Sequence, residues 1–297
     1  RHLRGLGLKV AAIRHPMPYG DLAKQAVQRF AAMKDLDEAN CTVEEREEYE
    51  PHIAAGNVVF AGVDYERILR QAEKEAEVIL WDGGNNDFSF YRPDLHIVMV
   101  DPLRAGHEKT HHPGEAVLRM ADIVVIAKAN SATSGDIQKV TESVRELNPQ
   151  ARIVRASSVV SLDDSTAVAG KRVVVVDDGP TITHGGMPYG AGFVAASEAH
   201  AGEIVDPWPM AMGEIAQVFR RYGHIGRVLP AMGYSARELA DLEATLNAID
   251  ADVVVAGTPV DLGRLMKLNK PVVTKKRAVK PNSSHDKKQI YVKSKNV

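Results

Sequence analysis

Short apolar runs recur along the chain, at residues 78–81, 95–100, 122–127, 171–176 and 252–256, and each ends in a loop of acids, amides, glycines or prolines. Runs of this kind, rich in β-branched residues and lacking strict alternation, suit strands of a parallel sheet covered on both faces. Between them the spacing is helical. Residues 64–76 place Tyr65, Ile68, Leu69 and Ala72 on one side behind an Asp64 cap, and 134–147 follow a capping Ser134 and stop at Asn148-Pro149. Helices are also expected over 212–222 and 235–249, and shorter strands at 8–13, 57–60, 151–156 and 271–273. Alternation of this sort implies an α/β fold with a mainly parallel sheet flanked by helices and a C-terminal α/β portion. Residues 21–33 have helical spacing through Leu22, Ala26, Val27 and Phe30, and the acid-rich 35–50 are expected to form a solvated helix.

At 297 residues the chain is long enough for one large or two ordinary domains without staples. The boundaries expected are 1–168, 169–274 after a Ser/Asp-rich connection, and a basic tail at 275–297 without ordered structure. From Thr274 onward the tail holds eight Lys or Arg and one acid, yet it lacks aromatic interleaving, so no nucleic-acid partner is expected. The formal net charge of −2 gives neither a basic nor an acidic surface, and no apolar run nears the roughly 20 residues of a membrane helix. Cys41 is the only cysteine, which excludes an internal disulfide and fits a cytoplasmic location. Arg1 to Gly7 resemble the last turn of a helix, so a preceding segment is expected.

Strand ends carry the candidate chemistry. After 78–81 come Asp82, a Gly83-Gly84 bend, and Asn85, Asn86 and Asp87, oxygen-bearing side chains where open α/β sheets bind ligands. They suit a polar ligand or Mg²⁺, with Asp82 as metal ligand, or else a polar turn capping the next element. The first strand runs into His15-Pro16-Met17-Pro18-Tyr19-Gly20, and Met-Pro-Tyr-Gly returns at 187–190 in the loop that holds His184, Gly185, Gly186 and Tyr189. Glycine-rich backbone exposes N–H groups to anions, so His15, Tyr19 and the 184–189 loop are candidate anion-binding residues, joined by Arg92 after the aromatic stretch 88–91. Residues 107–115 hold three histidines and two glutamates, but their spacing matches no helical zinc pattern. His107 and His111 are instead expected to face an anionic substrate. Lys128-Ala129-Asn130 resemble the base-reading loop of GTP-binding proteins, with Ala127 in place of its first Asn and Asn130 in place of its Asp, and are the candidate nucleotide contacts.

Residues 14–22, 45–52, 81–87 and 178–192 together resemble the cyclic 2,3-diphosphoglycerate synthetase family, over residues 1 to about 273. That resemblance implies a P-loop NTPase-like fold of the SIMIBI type and an ATP- and Mg²⁺-dependent ligase that closes 2,3-bisphosphoglycerate into its cyclic diphosphate. It further implies catalytic roles for Asp82, Asn85, Asn86 and Asp87, a small anionic phosphorylated substrate, and an N-terminally truncated member, inactive alone. The expected assembly is a homodimer, with no membrane contact. The family's phosphate loop has no counterpart here, because G-x-x-x-x-G-K-[ST] occurs nowhere in the sequence. A nucleotide-dependent switch or chaperone on the same scaffold is the alternative function.

Overall fold

The computed structural model describes residues 2–14, 21–83, 88–231, 235–258 and 261–282, without the side chains of 43, 44, 236 and 277. The protein is α/β, with mostly parallel strands and helices against them. It divides into two compact units: Arg1–Asp35 with His52–Val159 and Ala278–Val297, and Leu36–Pro51 with Val160–Arg277.

The first unit opens with α1 (His2–Gly5), β1 (Val10–Arg14), β2 (Gln28–Phe30) and α2 (Met33–Glu38), and α3 (Val43–Ala54) ends in it. Next come β3 (Val58–Ala61), α4 (Tyr65–Glu75) and β4 (Val78–Asp82). These strands form a sheet in the order β2-β3-β1-β4, and β3 and β4 both run parallel to β1. Ala11, Ile13, Phe60, Ile68 and Ala72 pack together as α4 closes on the sheet. As the sequence indicates, the Asp64 carboxylate accepts the Arg67 N–H and caps α4.

The chain continues through β5 (Ile97–Val100), α5 (His107–Thr110), α6 (Gly114–Arg119), β6 (Ile123–Ile126), α7 (Ser134–Leu147) and β7 (Arg152–Leu162). Strands β5, β6 and the first part of β7 are parallel, and α6 and α7 cover one face through Leu118, Val140, Val144 and Leu147.

The second unit holds β8 (Arg172–Asp178), α8 (Gly179–Ile182), α9 (Ala191–Glu198), β9 (Glu203–Ile204), α10 (Gly213–Arg221), β10 (Leu229–Ala231), α11 (Ala236–Ala248), β11 (Val253–Gly257), α12 (Leu262–Leu265) and the first six residues of β12 (Val272–Pro281). Parallel strands lie in the order β10-β8-β11-β12. Val173 to Val176 in β8, and Val254 and Val255 in β11, are fully buried, as both faces of a parallel strand require. In each unit a central strand, β1 or β8, has parallel neighbours on both sides, β3 and β4 in the first and β10 and β11 in the second. Met-Pro-Tyr-Gly follows both central strands in sequence, although residues 17–20 lie outside the described residues.

Four expectations fail for local reasons. In the simplest, Thr133 and not Ser134 caps α7, its hydroxyl accepting the Asp136 N–H. Residues 21–33 are turns and β2, because the Gln25 and Ala26 carbonyls accept N–H groups from Val63 and Asp64, and Arg29 pairs with Glu75. Gly62 makes this possible: its φ is +137°, and a Cβ there would lie 2.4 Å from the Gln25 carbonyl oxygen. The acidic stretch 35–50 is not simply solvated. Leu36 and Tyr49 are buried, and the buried Glu45 carboxylate accepts the Thr42 N–H and hydroxyl at the start of α3. Residues 275–281 are ordered as β12, since a ladder partner supplies hydrogen bonds whatever the side-chain pattern; the Asn282 N–H donates to the Arg155 carbonyl.

Candidate functional site

In the first unit, the reversal of strand order falls between β1 and β4, and ligands of open α/β sheets bind beyond the carboxyl ends at such a point. Register places Arg14 opposite Asp82, the last residues of their strands. The Arg14 Nη1 donates to the Asp82 backbone carbonyl at 2.7 Å and lies 3.1 Å from the carboxylate Oδ1. From the last turn of α3, His52 Nε2 lies 2.9 Å from the other oxygen, Oδ2. The Arg14 side chain is 9% exposed and that of Asp82 47% exposed, so the cation is enclosed while the carboxylate faces outward. Burial acts to raise the Asp82 carboxyl, but the His52 hydrogen bond and the Arg14 charge outweigh it and hold it below its ordinary range.

Both Asp82 oxygens thus serve nitrogen donors, and a guanidinium stands where Mg²⁺ was expected. Among the described residues no group of three His, Cys, Asp or Glu side chains could hold a metal ion. Mg²⁺ needs only one or two carboxylates beside substrate phosphates, and Asp82 offers one that is half exposed. His15, Tyr19, Asn85, Asn86 and Asp87, which follow Arg14 and Asp82 in sequence, lie outside the described residues. Arg92 is exposed, one residue beyond an aromatic group in which Phe90 stacks on Tyr65 and the Tyr91 hydroxyl donates to the Tyr65 carbonyl.

A second polar group sits at the ends of β5 and β6. Lys128, at φ +53°, sends its Nζ to within 2.6 Å of Asp101 Oδ2, and Arg104 lies 2.9 Å from the same oxygen. Burial opposes ionisation of Asp101, yet the Lys128 hydrogen bond and charge prevail and lower it. The Asn130 Oδ1 accepts the Ser158 N–H at 2.8 Å. The Lys128 ammonium and the Asn130 carbonyl, the expected nucleotide contacts, are thus engaged in tying this loop to β5 and β7. Nearby, His107 and His111 stack with ring centroids 3.9 Å apart. Partial burial, then the neighbouring His111 and Arg104 charges, push His107 below its ordinary range and favour a neutral imidazole.

In the second unit the reversal lies between β8 and β11. Asp177 fills it: its fully buried carboxylate accepts N–H groups from Gly192 at 2.7 Å, Gly190 at 2.8 Å and Phe193 at 3.2 Å. Burial raises this carboxyl despite the three backbone donors. A Cβ on Gly192 would lie 2.8 Å from the Gly257 Cα, so the backbones of α9 and β11 meet without side chains. Within the glycine loop, the Gly185 and Gly186 N–H groups go to the Pro180 and Thr183 carbonyls. These two N–H groups, with those of Gly190, Gly192 and Phe193, are accordingly engaged inside the protein. Tyr189 stacks on Phe193, whereas His184 is exposed beside Thr183 and Tyr222.

Sequence reasoning identified Asp82 but missed its partners. Arg14 had a signal, a charge ending an apolar strand. His52, thirty residues from Asp82 in sequence, had only its place at the end of the 45–52 stretch, which gives no hint of the pairing. Asp101 and Asp177, both strand-end carboxylates, were legible by the rule that singled out Asp82.

No family model matches the chain. It is 59% identical over 271 residues to the arginine synthetase ArcE of Thermococcus kodakarensis, a match that takes in 91% of this chain and 60% of that protein. The chain thus spans about three-fifths of the length of its curated relative. A solved structure, LpxK from Aquifex aeolicus in complex with ATP, aligns over 97% of this chain and 80% of its own at 15% identity, with a TM-score of 0.48.

Proposed function

We propose that residues 1–297 form part of an ATP-dependent synthetase whose product is arginine. The observation that carries this reading is the 59% identity over 271 residues to an arginine synthetase. Arginine differs from its ureido counterpart, citrulline, by one nitrogen in place of one oxygen. Replacing that oxygen at neutral pH requires a leaving group. The balanced route transfers the γ-phosphoryl of ATP to the ureido oxygen, releasing ADP; ammonia then adds to the carbon and inorganic phosphate departs with the oxygen.

The strand-end group of the first unit supplies suitable functions for such chemistry. Arg14 would stabilise anionic charge at the carboxyl ends of β1 and β4. Asp82, kept ionised by Arg14 and His52, would accept a hydrogen bond from a cationic or N–H-bearing substrate group or take a proton from the attacking nitrogen.

A second reading rests on the motifs at 14–22, 45–52, 81–87 and 178–192, which resemble cyclic 2,3-diphosphoglycerate synthetases. It keeps the P-loop NTPase-like fold and the logic of phosphorylation followed by displacement of phosphate, but makes a substrate phosphate the nucleophile. ADP release by the polypeptide that contains these residues, with citrulline and ammonia in one arm and 2,3-bisphosphoglycerate in the other, separates the two. Substrate-dependent ADP and arginine in the first arm are expected. Turnover confined to the second arm would replace the arginine reading, and ATPase activity that answers only to a protein partner would favour a switch.

A further inference from the structure

We propose that His184 and Tyr222, flanked by Arg221 and His224, form a binding site in the second unit for hydrogen phosphate, which still carries a proton near neutral pH. The residues come together because, among the described residues, β10 pairs with the last residues of β8, Val176 to Asp178. The helix leaving β8 and the connection entering β10 therefore meet at one end of the sheet. Gly226 N–H donates to the Pro188 carbonyl at 2.7 Å, and His224 Nε2 lies 2.7 Å from the Ile182 carbonyl, which fixes its N–H there.

The hydrogen bonds determine the roles of the His184 nitrogens. The Thr183 hydroxyl donates to the Gly179 carbonyl at 2.8 Å, so its oxygen is left to accept the Nδ1–H of His184 at 3.1 Å. That leaves Nε2 of the neutral ring as an acceptor, facing the Tyr222 hydroxyl at 3.4 Å. At this length the hydroxyl is held weakly and can be re-aimed at a ligand. The Arg221 guanidinium carbon lies 5.4 Å from the Tyr222 ring centroid, which sets a cation beside the pair, and His184 and His224 are both exposed.

One donor next to one acceptor, beside a cation, selects among oxyanions. A P–O⁻ takes the Tyr222 O–H while the adjacent P–OH donates to His184 Nε2. Sulfate and carboxylate have no proton to give near neutral pH. They would leave Nε2 facing a lone pair. Inorganic phosphate is also a product of the reaction proposed above, but the site rests on this geometry alone, and its test needs no turnover.

The test is a titration of the whole polypeptide, following the His184 and His224 imidazole resonances at fixed pH with inorganic phosphate, methyl phosphate and sulfate in separate arms. His184→Gln assigns its resonance. Saturable shifts with phosphate, at least tenfold weaker with sulfate and at least tenfold weaker in Tyr222→Phe, are expected. Methyl phosphate, whose second pKa of about 6 leaves it mostly without a P–OH near neutral pH, is expected to respond more weakly than inorganic phosphate, and an equal response would overturn the proposal. Equal responses to phosphate and sulfate, no saturation with either phosphate probe, or an unchanged affinity in Tyr222→Phe would overturn the proposal.

Discussion

The Arg14–Asp82 pair is unevenly buried, so its two halves should not be equally expendable. Asp82→Ala leaves the guanidinium of Arg14, 9% exposed, without its carboxylate though still bonded to the residue-82 carbonyl. A buried charge left with no partner typically costs roughly 3–5 kcal/mol, and because Arg14 keeps the residue-82 carbonyl and further interactions the expectation lies below that range, at about 2–3 kcal/mol. Arg14→Met leaves a carboxylate whose side chain is 47% exposed and which keeps His52, so it can turn to water. Its cost should be about 1–1.5 kcal/mol, for hydrogen bonds at the residue-82 carbonyl and carboxylate exchanged with water. Trp81 neighbours Asp82, and Trp208 in the second unit is the only other tryptophan. In a Trp208→Phe background, urea unfolding followed by tryptophan fluorescence therefore reports on the first unit. A Cm for Arg14→Met as low as that for Asp82→Ala, or lower, would refute the reasoning.

Asp177→Ala strips the acceptor from three backbone N–H groups and should destabilise the second unit by about 3 kcal/mol, read from Trp208 fluorescence in a Trp81→Phe background. Gly192→Ala drives a methyl to within 2.8 Å of the Gly257 Cα and the Asp177 carboxylate; a loss of about 2 kcal/mol or more is expected by the same readout, and a neutral substitution would contradict the close approach. Asp101 is held below the usual carboxylate range by Lys128 and Arg104, against the pull of burial. Because its folded value is depressed, its contribution is complete above the unfolded value, about pH 3.9, and is lost as pH falls through the folded one. Acid titration of Asp101→Asn should therefore show a shallower loss of stability below about pH 4, and a slope equal to the parent's would rule this out.

The alternation of apolar runs and helical spacing revealed the parallel strands, because strands buried on both faces, such as Val173 to Val176, carry their burial in composition alone. It misled where hydrogen bonds, not side chains, decide the outcome. Phe30 has a helical neighbour pattern, yet the carbonyls of Gln25 and Ala26 are engaged by Val63 and Asp64, so 28–30 pair with β3. The basic 275–281 lack an apolar pattern and are still a strand. Asp82 was legible as a strand-end acid, whereas its half-buried pairing with Arg14 and His52 depends on register and on a helix end that no local pattern specifies. The glycine loop at 179–192 was legible as a loop; that Asp177 would claim the N–H groups of Gly190, Gly192 and Phe193 follows only from three-dimensional proximity.

The proposal that these residues serve an oxygen-activating, ATP-driven synthesis of arginine is tested most directly by the fate of one atom. Citrulline labelled with ¹⁸O in its ureido group is incubated with ATP, ammonia and the polypeptide that contains residues 1–297, and the inorganic phosphate is analysed by mass spectrometry. One ¹⁸O in each phosphate, formed in step with arginine and ADP, is the expected result. Phosphate free of label, or ADP produced without arginine, would contradict it.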